Sequence, residues 1–157
     1  MILDDRFWPS VQALADCLCT ALAEHDAGPL CYCGVSVDRP VEQVGNGKGT
    51  AWATLINVQP NSDDTQGTLG PCMPPLVGTV EVGVLRCYPT PTPPKYVTVE
   101  QNRQAIEALL SDQRAMLAAV CCAQEEIGFI SSIQSWEQIG PEGGIIGGVL
   151  TILISEP

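Results

Sequence analysis

Apolar residues recur at helical spacing in Trp8, Val11, Leu14, Ala15, Leu18 and Leu22. This stripe predicts an amphipathic helix over residues 8–24, with Pro9 tolerated in its first turn. Gly28-Pro29 stops it, and residues 30–37 then alternate as a strand with Cys31, Cys33, Val35 and Val37 on one face. A turn at Asn46-Gly47-Lys48-Gly49 leads into a strand over 50–58. There Trp52, Thr54, Ile56 and Val58 oppose Ala51, Ala53, Leu55 and Asn57, and the smaller face suits the underside of a helix. Residues 59–75 are too long and polar for a tight hairpin. The next strand, 77–88, points Val80, Val82 and Val84 one way and Thr79, Glu81 and Leu85 the other. The proline-rich stretch 89–97 is an extended connector. Thr98 followed by Gln101 forms a capping box for a second helix running to about residue 123, with Ile106, Leu109, Leu110, Leu117, Val120 and Cys121 along one side.

A short strand over 129–135 precedes the most distinctive segment. Gly140-Pro141 is turn punctuation, Gly143 and Gly144 permit positive φ, and Val149 to Ile154 is a β-branched apolar run. Both faces of this last strand are apolar: Leu150, Ile152 and Ile154 on one, Ile145, Val149 and Leu153 on the other. It is therefore central in a covered sheet or pressed against another subunit. Gly147 and Gly148 at its start mark a bulge or a close backbone approach. Consecutive strands joined by turns favour antiparallel pairing. The expectation is one α+β domain over residues 1–157, with a mostly antiparallel sheet of four to five strands and two helices packed on one face.

Composition narrows the function. Seven Lys and Arg against eighteen Asp and Glu give a formal charge of −11, which opposes binding to nucleic acid through its phosphates. No apolar run reaches membrane-spanning length, and Asp4, Asp5 and Arg6 do not open a signal peptide, so a soluble protein made in the cytoplasm is expected. That compartment favours reduced, buried thiols for the eight cysteines. Cys17-Leu-Cys19, Cys31-Tyr-Cys33 and Cys121-Cys122 lack the spacing of a zinc knuckle, and on a helix Cys17 and Cys19 point roughly 200° apart. Pairing of one cysteine from each group stays open.

Candidate chemistry is sparse. His25, the only histidine, is expected as an exposed residue at the negative end of the first helix. The Gly45-Asn-Gly47-Lys48-Gly49 cluster precedes a strand and not a helix, so it suits a hairpin turn better than a phosphate loop. Adjacent carboxylates at Asp63-Asp64 and Glu125-Glu126 point apart and do not share a proton. Among Trp8, Trp52 and Trp136, only Trp136 is expected on a partner surface.

Taken in order, Cys17-Leu-Cys19, Cys31-Tyr-Cys33-Gly34, Thr50-Ala-Trp52-Ala-Thr-Leu55, Val80-Glu-Val-Gly83-Val-Leu-Arg86-Cys87, Val120-Cys121-Cys122, Trp136 and the closing glycine-rich segment resemble the tail terminator proteins of long-tailed bacteriophages, in particular phages of actinobacteria. The resemblance spans most of the chain. It implies a structural virion protein, with no catalytic residue, metal or cofactor. The subunit would form a ring, a hexamer, that caps the head-proximal end of the tail tube, stops its polymerisation and docks with the head connector. Its partners would be the tail tube protein and the connector or stopper protein, and DNA would pass through the lumen without specific binding. On this reading Trp136, Gly140, Pro141, Gly143, Gly144, Gly147, Gly148, Val149 and Leu153 are expected at the subunit interface. Asp63, Asp64 and Glu142 are expected on the lumen or a ring face, where a negative wall lets DNA slide. A head completion or stopper protein of the same neck region is the nearest alternative. A small cytoplasmic thiol enzyme pairing a cysteine with His25 is the distant one.

Overall fold

The first apolar stripe folds as helix α1 (Asp4–Glu24), with Phe7 where Trp8 was expected. Phe7, Val11, Leu14, Leu18 and Leu22 are buried, whereas Trp8 is 53% exposed. Phe7 lies over Gly78, where an added Cβ would come within 2.9 Å of its ring, so the missing side chain makes the room that selects Phe7. These details come from a computed structural model that describes residues 4–25, 28–45, 47–61, 75–91 and 95–155. Residues 62–74 of the expected loop over 59–75, and residues 92–94 of the expected connector over 89–97, fall outside them.

Among the described residues five strands follow: β1 (Leu30–Val35), β2 (Gly49–Pro60), β3 (Leu76–Cys87), β4 (Ile130–Glu142) and β5 (Ile145–Ser155). They form one sheet in the order β1-β2-β3-β5-β4. Every neighbouring pair is antiparallel except β1 and β2, which are parallel. That exception corrects the expectation of turn-joined neighbours at the start of the sheet. The connection 36–48 is long enough to cross over, as a parallel pair requires, and it carries a short 3-10 helix at Val41–Gln43. The glycine cluster does form a tight turn, but within the crossover: Gly45 and Lys48 exchange backbone hydrogen bonds at 3.2 and 2.9 Å, and Gly47 has φ +73°.

Helix α2 (Val99–Ile127) opens on the expected capping box, Thr98 and Gln101 each bonding the other's backbone N–H, and closes on Gly128 at φ +70°. Its buried side is the expected one only in part: of the expected stripe Val120 is buried and Leu109 half-buried. Ala115, Met116, Ala119, Val120 and Ala123 face inward, while Ile106, Leu110, Leu117 and Cys121 are exposed. Small residues win the inner face because α2 packs closely along α1.

Both helices cover one face of the sheet. The main core joins their inner residues to Ala51, Ala53, Val80, Val82, Val84, Leu150, Ile152 and Ile154. Ala51 and Ala53 are fully buried, the small face under a helix that the alternation predicts. A smaller cluster of Trp52, Leu85 and Val149 occupies the opposite face, joined by Tyr32, Val44, Ile139 and Ile145. There the crossover is anchored electrostatically. Arg39 donates twice to the Glu81 carboxylate, both at 2.9 Å, and the Trp52 indole N–H donates to the same group at 3.3 Å. The Glu81 hydrogen bond pushes the Arg39 pKa up, which suits an arginine neutralising a buried carboxylate.

Candidate functional site

The closing segment folds as the β4–β5 hairpin, and its turn is Gly143-Gly144 alone, at φ +58° and +77°. Two consecutive positive φ values are what a two-residue hairpin turn needs. Gly140-Pro141, expected as turn punctuation, instead lies inside β4 as a cis peptide. Proline is tolerated there because β4 is an edge strand. Gly140 is required by its φ of +76° and by the Ile145 carbonyl oxygen, 2.3 Å from where a Cβ would stand. The strand expected over 129–135 therefore extends to Glu142.

The expected interface residues divide sharply. Gly147 and Gly148 do admit close neighbours, but those neighbours belong to the same chain. A Cβ at Gly147 would lie 2.1 Å from the Val84 carbonyl oxygen, and one at Gly148 would lie 1.9 Å from the Trp136 ring. Trp136 is half-buried and packs over Gly148 against the main core. Val149 is buried against Trp52 and Leu85 within its own fold. Leu153 is partly buried. Gly140, Pro141, Glu142 and Gly143 are exposed around the hairpin tip. Asp63 and Asp64 lie outside the described residues.

The surface that the fold leaves apolar is elsewhere. Val99, Ile106, Leu110 and Leu117 on α2 are 87%, 56%, 51% and 39% exposed. At 100° per residue they fall within about 40° of one another, so they form one outward stripe. One turn beyond Leu117, exposed Cys121 lines a groove of about 410 Å³ with Val120, Gln124, Ile130 and Ile133. This groove lies between α2 and edge strand β4, where Ile133 is 46% exposed. The stripe thus continues into an unpaired strand edge. Its signal was present in the sequence as a helix with two apolar sides, one of small residues and one of large. Periodicity alone assigned the large side to the core, and packing assigned it to the surface.

The cysteines depart most from expectation. Cys17 is bridged to Cys122, and Cys19 to Cys33, with Cα separations of 6.0 and 5.8 Å. Helix α1 lies between β1 and α2, so the angular divergence of Cys17 and Cys19 sends one to each neighbour. Cys31, Cys87 and Cys121 are free and exposed, and Cys72 lies outside the described residues. His25 is exposed at the end of α1, and Cys17 and Cys19, the two thiols of its own helix, are both bridged.

An ion pair between half-buried Arg86 and buried Asp112 fixes α2 to the sheet. Arg86 donates to both Asp112 carboxylate oxygens, at 2.6 and 2.8 Å, with Asp112 only 2% exposed. Burial pushes the Asp112 pKa up against the opposing pull of Arg86. Among the described residues, no helix is long and apolar enough to cross a membrane. No protein-family model matches the chain, and no curated protein is significantly similar to it.

Proposed function

We propose that the chain is the subunit of a bacteriophage tail terminator, a ring that caps the head-proximal end of the tail tube, stops its growth and presents a docking face to the head connector. The observation that carries the proposal is the apolar band running from the outer stripe of α2 into the groove beside β4. A single chain leaves it in water, and clustered exposed apolar residues of this kind mark interaction sites. The occupant is a second copy. A ring interface is heterologous, so the band requires a different apolar surface on the same chain, and Trp8, Val37, Val41 and Ile56 are exposed apolar residues on α1, β2 and the crossover.

Two further features support a neck protein. Disulfides persist in oxidising surroundings, including the surface of a released virion. A formal charge of −11 suits a conduit that DNA traverses without sticking. The tail tube and connector are then the axial partners, and exposed Glu142 at the hairpin tip is the described carboxylate assigned to the lumen or a ring face. A head completion or stopper protein would share the charge and size, and it differs in binding to heads instead of tails.

Negative-stain microscopy with native mass measurement tests the proposal. The wild type should form closed rings, and Leu110→Glu with Leu117→Glu should yield folded monomers, because both positions are exposed. Isolated tails should gain a terminal cap when the protein is added. A wild-type monomer at high concentration, or caps that form equally well with the double variant, would remove the basis of the reading.

A further inference from the structure

Cys17, Cys122 and Glu126 converge although no sequence motif joins them. The two sulfurs are joined to each other in the bridge, and a carboxylate oxygen of Glu126 lies within 4.8 Å of both. Cys122 and Glu126 are one turn apart on α2, with the sulfur 4.0 Å from the nearer carboxylate oxygen, and Cys17 faces them from α1. Residues four apart on a helix present their side chains to the same side, which is the spacing that lets one helix offer two ligands to one ion. Burial is graded: Cys17 is buried, Cys122 half-buried and Glu126 exposed. One side therefore opens to solvent.

We propose that, when the Cys17–Cys122 bridge is reduced, the two thiolates and the Glu126 carboxylate bind a thiophilic divalent cation of the zinc class. Water completes its tetrahedron. Two thiolates and a carboxylate select zinc over magnesium or calcium, which prefer all-oxygen shells. The steps balance. A dithiol reductant transfers two electrons and two protons to the bridge, becoming a cyclic disulfide and leaving two thiols. The cation then displaces those two protons, while the carboxylate binds already ionised. The pair Cys19–Cys33 lies on the other flank of α1 and takes no part. Cys121, on the adjacent position of α2, faces the groove. Helix α1 is thus held to α2 in both redox states, by a covalent bond when oxidised and by a coordinated ion when reduced. This site does not depend on the terminator reading.

Cobalt(II) is the probe, because thiolate ligation gives sulfur-to-metal absorption in the near ultraviolet and tetrahedral sites give intense visible bands. The full chain, reduced with a phosphine and cleared of it, should take up one cobalt ion per chain with both signatures, and the oxidised chain should give neither. Cys122→Ser should lose the thiolate band. Cys121→Ser and the double variant Cys19→Ser with Cys33→Ser should keep it. Glu126→Gln should weaken binding at least about tenfold, the loss known even for outer-shell partners. Its exposed position keeps the test intact where Cys122→Ser fails to fold. Absence of cobalt absorption in the reduced wild type, its survival in Cys122→Ser, or unchanged affinity in Glu126→Gln would each overturn the site.

Discussion

Replacing Gly148 by alanine tests whether the glycines of the last strand serve the chain's own packing or an approaching subunit. The new Cβ would stand 1.9, 2.4 and 2.6 Å from three atoms of the Trp136 ring. Carbon atoms in contact are normally about 3.5–4.0 Å apart, so the indole must retreat by about 1.5 Å or more and give up part of its contact with the core. Overpacking of this kind costs about 1–3 kcal/mol, or about 2–12 °C in melting temperature for a chain of this length. The obstruction is a side chain, so removing it should remove the cost. In a Trp136→Ala background, Gly148→Ala should be neutral or stabilise by up to about 1 kcal/mol, since alanine loses less backbone entropy than glycine in a strand. The coupling energy from a double-mutant cycle in urea should therefore be at least about 1 kcal/mol. Gly147→Ala is the internal control. Its Cβ would meet the Val84 carbonyl oxygen at 2.1 Å, and backbone within a sheet cannot step aside, so Trp136→Ala should not rescue it. If Gly148→Ala costs the same in both backgrounds, or leaves stability intact while abolishing assembly, the intrachain account is wrong and Gly148 belongs to a subunit contact.

Chain-entropy arguments assign the two bridges unequal weight. The Cys17–Cys122 bridge closes a separation of 105 residues and Cys19–Cys33 one of 14, so their removal should cost roughly 5 and roughly 3 kcal/mol. Urea midpoints of Cys17→Ala with Cys122→Ala and of Cys19→Ser with Cys33→Ser, measured without metal, check the order; equal losses would contradict it. Asp112→Ala should cost up to about 3 kcal/mol, the low end for a buried pair, because Arg86, left without its partner, is half-buried, and unfolding curves within 1 kcal/mol of wild type would refute that role. Because burial raises the Asp112 pKa, the folded state holds its proton more tightly than the unfolded chain does. Its contribution is fully present below the ordinary carboxylate range and falls as pH rises through the folded value. Asp112→Asn should accordingly cost more in acid than at neutral pH, and a cost that grows toward neutral pH would reverse the sign assigned here.

Local rules in the sequence determined much of the fold. The capping box at Thr98, the alternation of Val80, Val82 and Val84 against Glu81 and Leu85, the small face of Ala51 and Ala53 and the two-residue turn at Gly143-Gly144 depend on neighbours a few residues away, and those neighbours are written in order along the chain. The α+β class with two helices on one face followed from them. What escaped was whatever depends on which element becomes a neighbour in space. The parallel pairing of β1 with β2 goes with the 36–48 crossover, which Arg39 ties to Glu81, a strand away. Trp8 lost its expected place in the core because Gly78 offered its room to Phe7, and Trp136 packs into the room that Gly148 leaves. The outer stripe of α2 was indistinguishable from a core stripe until the alanine-rich side was set against α1. The cysteine partners lie 105 and 14 residues apart in sequence, and only the position of α1 between β1 and α2 brought them together. Periodicity says that a face is apolar; tertiary packing decides whether that face meets the core, another strand of the same chain or a second molecule, because burial depends on distances in space that a linear pattern does not contain.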